Sequence, residues 1–236
     1  MFLIENWMKD YENAAKKCFG ERIWFLGLQG SYGRGEATED SDIDPVLILD
    51  RVGAEDLRKY SSMLDALPER DKVCGFISGK EELLAWEPSD LFQFYYDTKP
   101  AVGSLDPLLT LIDREEIRRA VRIGACNIYH LCAHNLVHEK GAEILKSLYK
   151  SAAFTLQAVC FLQTGIYEKQ KEKLQKRLEA EDRKILEAGQ RLKEKESLPA
   201  EELERLSSLL LDWASGWILR SRKAVTGSDH RQIPLP

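Results

Sequence analysis

Gly30 and Ser31 are followed, after ten residues, by Asp42-Ile43-Asp44. Two carboxylates that share a small space repel each other unless a cation or a proton lies between them. A glycine lets the backbone approach a ligand closely, and a serine offers both a hydroxyl and a backbone N–H. Residues after Ser31 are expected to begin a short helix whose N–H groups carry about half a positive charge, a setting that suits phosphate. Arg34 adds a guanidinium that can reach phosphate oxygens. The chemistry this pattern implies is a divalent metal carrying a nucleotide. It is not a P-loop, since no Gly-Lys-Ser/Thr follows, and no G-x-G-x-x-G pattern is present. The bland competitor is a glycine-rich hairpin with solubilising acids, which leaves the agreement of turn, spacing and flanking strands unexplained.

Elements on both sides must position these groups. Residues 23–28 form an apolar run that reads as a buried strand, and residues 46–49 read as its partner. Alternation along a strand then projects Asp42 and Asp44 to one side and Ile43 to the other. Residues 4–19 form an amphipathic helix ending at Gly20, and residues 54–67 a second helix. A strand over 73–78 and helical stretches over 81–86 and 89–96 complete this half, after which no further strand is expected. Pro100, Gly103 and Pro107 mark a boundary, dividing the chain into domains 1–112 and 113–236.

The glycine-serine turn, its spacer and the Asp-Ile-Asp triplet resemble the signature of the DNA-polymerase-β-like nucleotidyltransferase superfamily. That resemblance implies an α/β (α+β) catalytic domain with a small mixed sheet. It places Gly30, Ser31 and Arg34 at the nucleotide phosphates and Asp42 and Asp44 on magnesium, in a one- or two-ion site. Where there are two ions they sit about 3.5–4 Å apart and stabilise attacking and leaving oxygens. The implied co-substrate is a nucleoside triphosphate, ATP being the first choice. An acceptor hydroxyl attacks its α phosphate and pyrophosphate leaves. The superfamily's third carboxylate belongs on the later strand, but residues 73–79 contain no acid and Cys74 stands near that place. A thiol is a poor magnesium ligand.

Everything after Asp113 reads as an all-α helical bundle. Residues 115–138 form a central helix and 142–164 a second, closed by Gly165. Leu174, Leu178 and Ile185 mark a third, more exposed helix before Gly189, and the run 168–205 reads as a solvated helix pair. Leu203, Leu206, Leu210, Trp213 and Trp217 give a final helix one buried stripe. Through Trp86 and Phe94, the head-plus-bundle order also resembles the bacterial antibiotic adenylyltransferases acting on streptomycin and spectinomycin. This implies a small hydroxylated, aminoglycoside-like acceptor bound between the domains.

Asn127, His130, His134 and His138 share one stripe of the first bundle helix. They read as a solvent or interface stripe, or as a cleft face in which His130 or His134 deprotonates the acceptor hydroxyl. A zinc site there lacks a suitably spaced cysteine or carboxylate. The spacing of Arg122 and His130 does not fit the small helical RNases that pair with nucleotidyltransferase antitoxins. Lys146 and Lys150 read as exposed bundle lysines, and Phe94, Tyr95 and Tyr96 either pack at the boundary or stack on a substrate ring. Residues 227–236 have too little apolar content to predict order.

A chain of 236 residues with net charge −5 has room for two modest cores and argues against broad nucleic-acid binding. Five scattered cysteines without C-x-x-C spacing, and no signal peptide or membrane span, point to the cytoplasm. The reading is a magnesium-dependent nucleotidyltransferase acting on a small-molecule hydroxyl. Its alternative is a catalytically weak nucleotide-binding or antitoxin-like partner-binding protein. A homo-oligomer is compatible with the sequence but not specified by it.

Overall fold

The computed structural model describes residues 2–223, so the expectation for residues 227–236 lies outside them. The chain packs as two compact units, Met1–Leu111 and Ile112–Pro236. Among the described residues, no helix is long and apolar enough to cross a membrane.

In the first unit, helix α1 (Ile4–Phe19) ends at Gly20 and leads into strand β1 (Ile23–Gln29). A single short helix, α2 (Gly30–Arg34), follows directly. Strand β2 (Asp44–Leu49) returns antiparallel to β1, pairing Gln29 with Asp44 and Leu26 with Leu47. Helix α3 (Ala54–Asp65) then carries the chain to strand β3 (Phe76–Gly79), which runs parallel to β2. A parallel neighbour requires such a crossover, because a tight turn can only reverse the chain. Helices α4 (Lys80–Leu84) and α5 (Pro88–Asp97) follow.

Strand β4 (Lys99–Val102) then pairs antiparallel with β1, completing a mixed sheet in the order β3-β2-β1-β4. This strand overturns the expectation that strands stop after the third. Pro100 argues against a strand in a sheet interior, but β4 is an edge strand, where a missing N–H costs no ladder bond. The third strand also starts later than expected. Val73 forms only an isolated parallel bridge with Ile43, and regular pairing begins at Phe76.

One face of the sheet buries Leu26, Leu28, Ile43, Leu47 and Leu49 against Trp7, Tyr11 and Phe19 of α1 and Tyr60, Met63 and Leu64 of α3. The alternate residues Phe25, Val46 and Ile48 are also fully buried, on the opposite face. A strand buried on both sides cannot slip register without moving an entire apolar set, so the register at its polar end is fixed as well.

The second unit is helical. Helix α6 (Arg114–His134) is capped by Asp113, whose carboxylate accepts from the N–H groups of Glu115 and Glu116. It ends four residues earlier than expected, in a π turn (Asn135–Glu139) where Lys140 N–H donates to the Asn135 carbonyl. Helix α7 (Ala142–Thr164) ends at Gly165 in the left-handed conformation. The single third helix expected around Leu174, Leu178 and Ile185 is two helices, α8 (Lys171–Arg177) and α9 (Ala180–Lys193), which break at Leu178. All three of those side chains belong to the core. Gly189 lies inside α9, where an added Cβ would come within 3.2 Å of the Tyr149 side chain, so close packing explains it and helix termination does not.

Helix α10 (Ala200–Lys223) contributes Leu203, Leu206, Leu210 and Trp213 to the core. Trp213 and Trp217 both donate their indole N–H to Oδ1 of Asp182, at 2.8 and 2.9 Å. Asp182 is a buried carboxylate on α9, and these two bonds tie α9 to α10 at the bundle core.

Candidate active site

The candidate residues of the first unit lie where β1 ends and β2 begins. Gly30 has φ +69°, the left-handed region, which a residue with a Cβ adopts at a cost. A Cβ built there would lie 1.8 Å from Asp44 Oδ2 and 2.7 Å from its Cγ. The Asp44 carboxylate therefore occupies the space that glycine leaves open, directly against the turn. Gly35 closes the short helix, again with positive φ, and its N–H donates to the Tyr32 carbonyl. Ser31 is half-buried at the start of α2, and Ser31 Oγ makes no hydrogen bond among the described residues.

The side chains around the triplet alternate as a strand demands. Ile43 is fully buried, Asp44 is half-buried and Asp42 is exposed. Backbone bonds from Ile43 N–H to the Lys72 carbonyl (2.8 Å) and from Cys74 N–H to the Ile43 carbonyl (2.9 Å) fix the neighbouring segment. The pairs Ile43 with Val73 and Val46 with Phe76 share one offset, which sets Cys74 beside Asp44. Cys74 is a free, exposed thiol. The third-strand position next to the acidic pair is thus a cysteine in space as well as in sequence.

Arg34 is already engaged. Its Nη1 donates to Asp97 Oδ2 at 3.0 Å and its Nε lies 3.5 Å from Glu36 Oε2, with the Arg34 and Asp97 side chains each only 11% exposed. The pair fastens α2 to the end of α5. Gln29, the ladder partner of Asp44, donates through Nε2 to Thr98 Oγ1 at 2.7 Å and to the Phe94 carbonyl at 3.4 Å, holding the other side of the turn. Sequence reasoning passed over both Gln29 and Asp97. Position alone could have singled out Gln29, directly before the glycine-serine pair, but nothing local marks Asp97. Lys72 donates to the Glu39 carbonyl and pairs with Glu69, whose bond, before other charges, raises its pKa.

His130 and His134 belong to the second unit. Both are exposed on α6, their ring centroids 6.5 Å apart, and His134 lies 4.7 Å from His138. Among the described residues, no three His, Cys, Asp or Glu side chains gather closely enough to ligate a metal by themselves. A cation at Asp42 and Asp44 must therefore complete its shell with oxygens from elsewhere. Magnesium fits that donor set, since it binds through one or two carboxylates plus substrate phosphates and water.

Residues 14–102 match the family model described as a nucleotidyltransferase domain, a span holding the turn, both aspartates and all four strands. The first unit is a nucleotidyltransferase domain of the polymerase-β-like superfamily. No curated protein matches the chain by sequence. Among solved structures, the chain is similar to spectinomycin adenyltransferase AAD(9) from Enterococcus faecialis, crystallised with ATP and spectinomycin. The TM-score is 0.55 at 13% identity, covering 91% of this chain and 99% of that one. At that identity the likeness concerns the fold, a nucleotidyltransferase domain followed by a helical domain.

Proposed function

We propose that this chain is a magnesium-dependent enzyme that transfers a nucleoside monophosphate from ATP to a hydroxyl of a small, aminoglycoside-like molecule. The observation that carries the reading is the Asp44 carboxylate seated in the space left by Gly30, directly against the glycine-serine turn. In this reading Asp42 and Asp44 hold magnesium, and the N–H groups of the turn with the Ser31 hydroxyl hold phosphate oxygens. Bound magnesium neutralises phosphate charge and polarises the α phosphoryl group. Arg34 acts through Asp97 and Glu36, bracing α2 so that the turn keeps its shape. An acceptor oxygen forms a bond to the α phosphorus, the α–β anhydride bond breaks, and pyrophosphate leaves. The acceptor proton is assigned to His130 or His134, since Cys74 supplies no carboxylate base. Residues 1–112 handle the nucleotide and residues 113–236 the acceptor. The fold shared with an adenyltransferase crystallised with ATP and spectinomycin supports the choice of both substrates.

A second reading, a nucleotide-binding or antitoxin-like protein with weak catalysis, draws support from Cys74 beside Asp44. A pyrophosphate-release screen with ATP, magnesium and hydroxylated ring compounds separates the two. Acceptor-dependent release that disappears in Asp42→Asn and Asp44→Asn is expected. Release that persists unchanged in both variants would contradict the assignment. Tight nucleotide binding with no release for any acceptor would favour the second reading.

A further inference from the structure

We propose that Trp86 forms part of the acceptor wall of this site, its indole face taking a ring that carries ammonium groups. The proposal rests on the nucleotidyl-transfer reading and adds to it a contribution of residues 1–112 to holding the acceptor. The ladder between β2 and β3 places Cys74 beside Asp44 and Phe76 beside Val46, so all four side chains emerge on one face of the sheet. Phe76 is half-buried and meets Trp86 edge-on, with centroids 5.8 Å apart and planes at 84°. Phe94 supports Phe76 from α5 at 5.1 Å. Trp86 is nonetheless 44% exposed, held at the end of α4 by its N–H bond to the Leu83 carbonyl. One ring contact, itself backed by Phe94, therefore holds a large apolar side chain that stays open to solvent.

Its place relative to the chemistry follows from strand order. In the order β3-β2-β1-β4 the phosphate turn lies on the β1 side of Asp44, while Cys74, Phe76 and Trp86 lie on the β3 side. Attacking and leaving oxygens sit roughly in line through the phosphorus in phosphoryl transfer. With pyrophosphate leaving toward the turn, the acceptor approaches from the β3 side and meets these rings. Charge then selects its type. Apart from Glu36, paired with Arg34, and the two aspartates assigned to magnesium, residues 36–44 add Glu39 and Asp40 and no lysine or arginine, and an indole face attracts cations.

The chain has five tryptophans, so 5-fluorotryptophan labelling yields a fluorine NMR spectrum in which Trp86→Phe identifies one resonance. Magnesium with a non-hydrolysable ATP analogue is added first, then spectinomycin, a ring compound bearing ammonium groups. The analogue is expected to leave the Trp86 resonance in place and spectinomycin to shift it. Trp86→Ala should weaken spectinomycin binding by about 10-fold, a typical partly desolvated cation–π contribution, with the analogue's affinity unchanged. The four remaining resonances report that each variant is folded. A Trp86 resonance that moves with the analogue, together with lost analogue affinity in Trp86→Ala, would make the indole a nucleobase platform and overturn the proposal. A resonance unmoved by spectinomycin would overturn it too. Failure of the wild-type protein to bind the analogue would instead remove the nucleotidyl-transfer reading, and this proposal with it.

Discussion

Replacing Gly30 by alanine places a methyl group 1.8 Å from Asp44 Oδ2 and 2.7 Å from its Cγ, so the carboxylate must swing away. The same change forces alanine into φ +69°, which costs about 1–2 kcal/mol. Gly35 supplies the control. It has φ +74°, and an added Cβ there meets nothing within 4 Å, so Gly35→Ala carries the backbone strain alone. Gly35→Ala should lose the strain alone and Gly30→Ala at least as much, about 2–4 °C for each kcal/mol in a chain of this size. Only Gly30→Ala should lose magnesium-dependent nucleotide affinity. Loss of properly seated metal ligands costs at least about 10-fold, the lower end of what disturbing even the supporting shell of a metal site costs. Thermal melts and calorimetric titration with magnesium and a non-hydrolysable ATP analogue measure the two effects separately. Equal nucleotide affinity in Gly30→Ala and Gly35→Ala would refute the claim that the Asp44 position is what the turn protects.

Other consequences are as specific. In a protein whose assigned base is removed by His130→Ala with His134→Ala, Cys74→Asp places a carboxylate beside Asp44 at an exposed position and should recover acceptor-dependent pyrophosphate release by about 100-fold, the lower range for a positioned general base; no recovery would mean that this position cannot serve a base. Asp182→Ala removes the acceptor of two indole N–H groups in the bundle core and should cost about 2–4 kcal/mol in urea unfolding. Asp182→Asn, which keeps a carbonyl oxygen, should cost less, and equal losses would contradict the hydrogen-bond account. The Arg22 guanidinium, ahead of the Gly53 N–H, lowers the Asp56 pKa from 3.8 to about 2. A carboxyl depressed in the folded state stabilises it fully above its unfolded pKa and loses that contribution as pH falls through the folded value. Acid melts of the wild type should therefore steepen between about pH 4 and pH 2 relative to Asp56→Asn, and parallel curves would refute the pairing.

Helices with a glycine at their end were readable at both ends. Gly20 and Gly165 stop α1 and α7 at the residues that composition alone suggests, because only a left-handed or similarly open backbone follows. The glycine-serine turn was equally local, since Gly30-Ser31 opens α2 immediately after an apolar strand. Strand β4 escaped notice because its four residues hold a proline and their pairing partner is β1, far away in the chain. The break at Leu178 was hidden by charged residues on either side that suit a helix, while the buried leucine there is needed by the core. Gly189 misled because glycine inside a helix has two causes, termination and close packing, and only the neighbour Tyr149 distinguishes them.

At the candidate site, residue types and spacing single out the turn and the acid pair, but not what steadies them. Arg34 is paired with Asp97, sixty-three residues later, and no local pattern announces that pair. Gln29 and Thr98 are likewise joined only by folding. Cys74 could be placed near the acids by counting along the strand, yet its seat beside Asp44 depends on a parallel ladder that starts irregularly at Val73. Long-range pairing of this kind leaves no periodic trace in a single sequence.

The central claim is that Asp42 and Asp44 grip a divalent ion beside the Gly30 turn. Manganese is a paramagnetic stand-in for magnesium, and the loss of its sharp free-ion electron paramagnetic resonance signal counts the ions that bind. In the presence of a non-hydrolysable ATP analogue, wild-type protein should bind manganese tightly, while Asp42→Asn and Asp44→Asn should leave it no more tightly held than the analogue alone holds it. Manganese bound equally well by all three proteins would contradict the account.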